Sequence, residues 1–529
     1  MRPQDGPVQP KPATSPEFDV VICGGSLAGA ATATLLLRNR PGLRVAIVEK
    51  SDRFPRRVGE ATVEVSAYFL SKVLGLTQHL NECHLTKQGM RFWFANDQTQ
   101  TLADCSEIGG RYLARMPSWQ VDRSVLDEEV LRRAGDAGAT LFRPAKALSV
   151  TLVSGGTQTV LIEDKTGNRT LTARWVVDAS GFTALLARQE GWLRRNDAHP
   201  TTAVWARWQG VKDWDCRELA ERFPEWFAAC HGIRATATNH LMGDGWWSWW
   251  IPLKGGDYSI GVVFDQRRVS WPQAGNLGPR LKEFLLAHHP VARELLSAAE
   301  PVTGDVRWRA NLAYSSTVQA GDGFALAGDA GAFLDPFYSP GMDWLSYTAT
   351  RIADLISAEQ SGEHGPQLAA RVAAQNHDFT RSYERWFEGI YRDKYDVMGD
   401  FELMGIAFRL DLSLYYIGVV SQPVKRGPAA LLDPVFMRSS SEIPYRLMRL
   451  YNRRLARLAR SRRERGVFGR HNAHRRFLLN GFLPDNSTGK PVLQGVLAWL
   501  ALELKEGWRT WFAREEPPIP RPARLPMRN

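Results

Sequence analysis

The chain has 529 residues, 44% of them hydrophobic, which is enough for two to four domains with buried cores. Its five cysteines, Cys23, Cys83, Cys105, Cys216 and Cys230, are odd in number and never closer than fourteen residues. That spacing excludes CxxC zinc and redox motifs, and no other metal-ligand pattern stands out, so a reducing cytoplasm fits best. The net charge of +11 is concentrated between Arg438 and Arg476, where thirteen arginines face only Glu442 and Glu464.

Residues 1 to 17 are proline-rich and polar, lack a signal-peptide core, and read as a disordered lead-in. Phe18 to Cys23 is an apolar run closed by Gly24-Gly25-Ser26-Leu27-Ala28-Gly29, and Ala30 to Leu37 continues with helical character. A second apolar run, Val45 to Val48, ends in Glu49, twenty residues after Gly29. Strand, tight turn, helix and terminal acid in this register predict a dinucleotide site: the pyrophosphate rests on the helix start and the acid accepts from a ribose hydroxyl.

Arg57-Val58-Gly59-Glu60-Ala61-Thr62 follows, and Thr86-Lys87-Gln88-Gly89-Met90-Arg91-Phe92 opens a strand on which Lys87, taken alone, reads as an exposed edge residue. Gln120-Val121-Asp122-Arg123 precedes a helix. Arg123 either reaches toward a cofactor or pairs with Asp127 one turn on. Trp175 to Gly181 is another apolar run closing in a small-residue turn, Asp178-Ala179-Ser180-Gly181. Thr201 to Arg309 is strand-like, centred on Gly245-Trp246-Trp247-Ser248-Trp249-Trp250-Ile251-Pro252. Tryptophans this dense are either core or the walls of a cavity, and each buried indole N–H needs an acceptor.

Phe324 to Ala327 leads into Gly328-Asp329-Ala330, then Asp335-Pro336-Phe337-Tyr338-Ser339-Pro340-Gly341, and a helix runs from Met342 to about Ile356. After Gly362 the pattern is helical, with Leu410 to Val420 and Gly495 to Phe512 as further helices and a proline-rich tail from Pro517. No membrane span is expected, since the longest suspicious run, Gly495 to Leu502, has eight residues where about twenty are needed. The arginine segment has amphipathic helical spacing. It reads as a solvated face against acidic parts of the molecule, or as a dock for an acidic partner or anionic membrane; nucleic acid is disfavoured because no recognition motif accompanies it.

In chain order, the G-G-S-L-A-G turn, the D-A-S-G turn and the G-D-A loop resemble the flavoprotein group of aromatic hydroxylases, geranylgeranyl reductases and flavin-dependent halogenases, over about residues 18 to 360. The V-G-E-A-T segment, Lys87 in K-x-G-x-x-F, and Trp247 to Pro252 as W-x-W-x-I-P are similar to flavin-dependent halogenases, including the tryptophan halogenases. The resemblance implies an α/β fold: a Rossmann-like FAD-binding domain of the glutathione reductase type, discontinuous over 18–200 and 305–360. A β-sheet substrate domain would be inserted at 201–304, followed by helices over 361–515 and a disordered tail over 516–529. It assigns FAD to Gly24, Ser26, Gly29, Glu49, Arg123, Asp329 and Gly341, catalysis to Lys87, halide to Ser339 and Gly341, and a substrate tunnel to Trp247, Trp249, Pro252 and Tyr338.

The implied activity uses reduced FAD, oxygen and halide to make hypohalous acid. Lys87 then either donates a hydrogen bond to it or is itself halogenated. No second nucleotide fingerprint occurs, so reduced flavin is expected from a separate flavin reductase. Two departures matter. Family members commonly read D-P-x-x-S-T-G, and Pro340 stands at the threonine without an N–H. Tryptophan halogenases carry a glutamate where Tyr338 stands, which points to a phenol, a pyrrole or a carrier-tethered acyl group rather than free tryptophan. An acidic carrier protein on residues 438–476 would suit the charge, as would an enzyme peripheral to the membrane. The alternative is an FAD-dependent monooxygenase or oxidoreductase of the same fold acting on a lipid or polyketide intermediate.

Overall fold

A computed structural model describes residues 16–511 except 231, 272–274, 482 and 485–487. Nearly all of the expected lead-in and the whole expected tail lie outside the described residues. Phe18–Cys23 (β1), Leu27–Asn39 (α1) and Val45–Val48 (β2) form the strand, helix and strand that the sequence predicts. β1 is apolar on both faces because it lies inside a sheet, parallel to β2 on one side and to Gly167–Asp178 (β3) on the other. Phe324–Leu326 (β4) adds parallel to β3. The spatial order is 320–321, β4, β3, β1, β2, 140–142, with a hairpin over 145–151 and 158–164 joined to β3.

The four parallel strands end at one edge, so turns drawn from positions 24 to 329 meet there. Backbone bonds lock them together: Gly24 N–H donates to Val48 O at 2.9 Å, Ala179 N–H to Cys23 O at 2.9 Å and Ala327 N–H to Asp178 O at 2.8 Å.

The second sheet has nine strands in the order 300–301, 201–209, 258–265, 246–252, 238–243, 90–94, 106–110, 476–479, with 307–310 also pairing with 201–209. It therefore takes in strands from both sides of the 201–304 stretch. Hydrophobic spacing could not place Met90–Phe94, because a strand buried on both faces carries no mark of which sheet it joins. The tryptophan strand, Trp246–Pro252, is wholly buried and alternates. Trp247 and Trp249 face the main core, while Trp246 and Trp250 enter a second core with Trp93, Trp208, Trp214 and Trp226.

Helix Gly341–Gln360 (α2) leaves the edge of the first sheet and packs on α1. Phe401–Tyr415 (α3), Glu442–Glu464 (α4) and Gly489–Lys505 (α5) build the C-terminal region. One expectation needs correction. Residues Phe401–Leu432 form a helical stretch long and apolar enough to cross a membrane, but 67% of its most apolar window is buried, as in the core helix of a globular protein.

For the arginine segment the ion pairs favour one of the open readings. On α4, Arg453 pairs with Glu388 at 2.8 Å, Arg454 with Glu503 at 2.6 Å, Arg460 with Asp396 at 2.8 Å and Arg463 with Asp244 at 2.6 Å. Arg462 is buried among Asp400, Glu402 and Glu506. These arginines are answered from within the fold, by acids that sequence places dozens to hundreds of residues away, while Arg438 and Arg446 pair with acids five and four residues off. The reading as a helix face against acidic parts of the molecule is the one the ion pairs support.

Candidate functional site

Along the edge where the turns meet runs a cleft of about 1190 Å³, counting its open mouth. Ser26 and Ala28 line it from the glycine turn, Val58 to Ala61 and Arg123 from one side, Trp205, Trp247 and Trp249 from the second sheet, and Asp329, Ser339 and Gly341 from the loop before α2. The turn is packed so tightly on its neighbours that it needs glycine. A Cβ at Gly29 would sit 1.9 Å from Gly24 O, and one at Gly24, whose φ is +113°, would sit 2.4 Å from Ala179 O. Ser26 begins α1 without capping the helix with its side chain, which leaves N–H groups for an anion.

Glu49 is buried at the end of β2 and accepts from Gly25 N–H at 2.9 Å and Ser51 N–H at 2.8 Å. Each carboxylate oxygen keeps a lone pair for a ribose hydroxyl. Arg123 makes the ion pair one turn on and also faces the cleft. Its Nε and Nη2 hold Asp127 at 2.8 and 3.0 Å, and the guanidinium still lines the cleft. Asp329 makes no side-chain hydrogen bond among the described residues. Burial raises its pKa to about 6, against the pull of Arg123 and Arg309. A partnerless carboxyl facing a cleft, a glycine cradle and an uncapped helix start fit a dinucleotide with polyol and phosphate groups.

A second cavity of about 480 Å³ lies beyond the start of α2. Its walls are apolar, from Val63, Met90, Trp386, Ile390, Phe408 and Leu412, with Glu64, Asp343 and Asp411 and the tyrosines 338, 391 and 415 set among them. A smaller cavity of about 290 Å³ touches both: Pro340 lines it and the apolar cavity, and Gly341 lines it and the cleft. The start of α2 is thus the partition between the two larger spaces.

Lys87 feels the charge of Asp343, in the first turn of α2, from outside that partition. It is 2% exposed, which removes the reading as an exposed edge residue, and Nζ donates to Thr62 O at 2.8 Å. Burial lowers its pKa to about 8, while the Glu64 and Asp343 carboxylates hold it up. Its own side chain is not among those lining either cavity. Its electrostatic neighbours line both, Glu64 and Asp343 on the apolar side and His240 on the cleft side. Lys87 and Asp343 grip the same segment: Asp343 Oδ1 accepts from Ser66 N–H at 2.9 Å, four residues after Thr62. Asp343 also accepts from Tyr415 OH at 2.6 Å, and burial raises its pKa to about 7.

The remaining expected residues divide. Trp247 and Trp249 reach the cleft, and Tyr338 the apolar cavity. Pro252 is paired in register with Tyr258 and is not among the lining residues of either. Ser339 lines the cleft, but its N–H closes a turn on Pro336 O at 2.9 Å, whereas Gly341, which also lines the cleft, opens the first turn of α2. Tyr338 and Ser339 both adopt positive φ, +67° and +56°, an unfavourable conformation for these side chains. The loop is held there by Tyr338 OH donating to Asp411 at 3.0 Å, with Lys394 on the same carboxylate at 2.6 Å.

Sequence reasoning missed Asp335, His199 and Tyr395. The Trp247 indole N–H donates to Tyr395 Oη at 2.9 Å, and Tyr395 donates to Asp335 at 2.9 Å, which His199 meets at 2.8 Å. This chain ties the tryptophan strand to the loop before α2. The D-P dipeptide was its one visible sign.

Similarity to known proteins agrees with this geometry. An FAD binding domain family matches residues 17–342. "Flavin-dependent halogenase chlA" of Dictyostelium discoideum is 28% identical over 375 residues, 65% of this chain, and the match spans only 60% of that protein. The "1H-pyrrole-2-carbonyl-[peptidyl-carrier protein] chlorinase" of Pseudomonas fluorescens is 26% identical over 422 residues, 75% of this chain and 84% of that one. In fold, the halogenase PltM in complex with phloroglucinol and FAD superposes with a TM-score of 0.71 at 19% identity, over 93% of this chain and 99% of that one. The chain belongs to the FAD binding domain family, with FAD as its cofactor and flavin-dependent halogenases among its homologues.

Proposed function

We propose that the protein is an FADH2- and O2-dependent halogenase of an electron-rich aromatic, free or tethered to a carrier, with Lys87 as its catalytic amine. The observation that carries this reading is the surroundings of that amine: it is buried, with a pKa of about 8, and its charged and polar neighbours Glu64, Asp343 and His240 line the apolar cavity and the cleft. Reduced FAD supplies oxygen activation and the conversion of halide to hypohalous acid. Trp247 and Trp249 form the indole wall that keeps water and substrate from the cleft, and the start of α2 offers the Gly341 N–H to halide.

At neutral pH a lysine with a pKa of about 8 is mostly ammonium, so Nζ donates a hydrogen bond to the oxygen of hypohalous acid, polarises the halogen toward carbon, and as the oxygen–halogen bond breaks gives its proton to the oxygen, which leaves as water. The tyrosine hydroxyls 338, 391 and 415 donate to Asp411, Phe337 O and Asp343. Their lone pairs are therefore left to receive the O–H or N–H of a phenol or pyrrole. Asp343 is placed to take the ring proton released when the carbon–halogen bond forms.

Relatives named as a carrier-protein chlorinase and solved with phloroglucinol support this substrate range. A separate flavin reductase would deliver the reduced cofactor. The purified protein, given such a reductase, oxygen, bromide and a phenol or a pyrrolyl-carrier, should yield a brominated product. Oxygenated product that forms equally without bromide would instead establish the alternative oxygenase, which the missing N–H at Pro340 favours.

A further inference from the structure

The outermost helix of the C-terminal region carries a face that the proposed chemistry does not use. On α5, Leu493, Leu497, Leu500 and Leu504 recur at helical spacing and are 46–74% exposed, and Trp508 and Trp511 just beyond are each a little over half exposed. The opposite side of α5 is firmly seated. Trp499 and Leu502 are buried, and a Cβ at Gly495 would lie 2.7 Å from Leu410 of α3. The acids between 489 and 511, Glu503 and Glu506, turn inward to Arg454 at 2.6 Å and Arg465 at 2.7 Å. Lys490, Lys505 and Arg509 are exposed, Lys490 on the same half of the helix as the leucines and Lys505 beside it at the helix end. α4 adds Ile443 and Leu450, both exposed, on the row that four residues later reaches Arg454, the partner of Glu503.

A leucine row with two indoles at one end, rimmed by cations and with no outward carboxylate among the described residues of 489–511, has the composition of a helix that lies in a membrane interface. We propose that this face docks the protein on an anionic phospholipid surface, with the leucines at the acyl boundary, Trp508 and Trp511 at headgroup depth, and Lys490, Lys505 and Arg509 on the phosphates. A second copy of the chain is a poorer occupant, because pairing the face with itself sets these cations against one another. The inference differs from the basic-segment reading of α4, whose arginines are engaged inside the fold, and it stands or falls separately from halogenation.

Flotation of the full-length, FAD-loaded protein tests it, with vesicles of phosphatidylcholine alone and of phosphatidylcholine and phosphatidylglycerol in equal parts. The wild type should float with the anionic vesicles and little with the neutral ones. L497Q/L504Q should lose flotation on both, and K490Q/K505Q/R509Q should lose the anionic preference, by about 100-fold at roughly fivefold per basic residue. Both variants change exposed side chains, so flavin absorbance should be unaltered. The inference is overturned if the wild type stays unbound, or if L497Q/L504Q floats as well as the wild type. It is equally overturned if sedimentation reveals a dimer that L497Q/L504Q splits while no vesicle recovers the protein.

Discussion

Replacing Lys87 by Met should cost the enzyme its activity and make the fold more stable, and the two effects have one cause. Burial takes the amine from 10.5 to about 8, a roughly 300-fold loss of proton affinity, or about 3 kcal/mol that the folded state forfeits wherever the lysine is charged. Methionine fills the same volume without that cost, but it leaves Thr62 O without its donor, a loss of about 1 to 2 kcal/mol. The variant should therefore be about 1 to 2 kcal/mol more stable than the wild type at pH 7. The sign must change with pH. Between about 8 and 10.5 the unfolded chain keeps a proton that the folded chain has released, so wild-type stability rises with pH while the variant lacks this term. Above 10.5 only the lost hydrogen bond remains, and the wild type should be the more stable. Urea midpoints followed by tryptophan fluorescence at a series of pH values read the crossover. Halogenation should fall about 100-fold or more with FAD affinity unchanged. A variant that is less stable at pH 7, by an amount flat up to pH 10, would show that the amine is not desolvated and would refute the reasoning.

Three further substitutions probe the partition. Asp343→Asn removes a carboxylate that holds the Lys87 pKa up, so the alkaline limb of the kcat/KM profile should move to lower pH; an unmoved limb would separate the two groups. Pro340→Ala restores a backbone N–H at a φ of −74° that alanine adopts without strain, and a charge-assisted bond there should lower the bromide KM about tenfold. An unchanged KM would place the halide elsewhere. Tyr395→Phe strips the Trp247 indole of its acceptor and Asp335 of one donor, which should cost about 1 to 3 kcal/mol in urea while flavin absorbance persists.

How much of this was legible in the chain follows from what each feature depends on. The glycine turn and Glu49 were readable because a phosphate cradle needs particular residues at fixed local spacing, and β1, α1 and β2 supply them within 32 residues, from Phe18 to Glu49. The fate of the arginines was not readable, because an ion pair such as Arg463 with Asp244 joins positions 219 apart and carries no periodicity. Lys87 stood between these cases. Its motif marked it, but nothing local could say that the strand it precedes would be covered on both faces and leave the amine 2% exposed.

The same contrast explains why the loop before α2 can tolerate Tyr338 and Pro340 where family members commonly carry other residues. Positive φ at Tyr338 and Ser339 is uphill for both side chains, so the loop keeps its shape only if something outside it over-determines the conformation. Two networks from distant elements do so: Asp411 with Lys394 grips the Tyr338 hydroxyl, and the chain from Trp247 through Tyr395, with His199 alongside, grips Asp335. Tyr338 is itself one of these grips, so its side chain serves the shape of the loop as well as lining the apolar cavity, whereas Pro340 brings no N–H to either network. Changes to the Asp411 or Asp335 networks should act on stability and turnover together, whereas changes at Pro340 should act on halide alone.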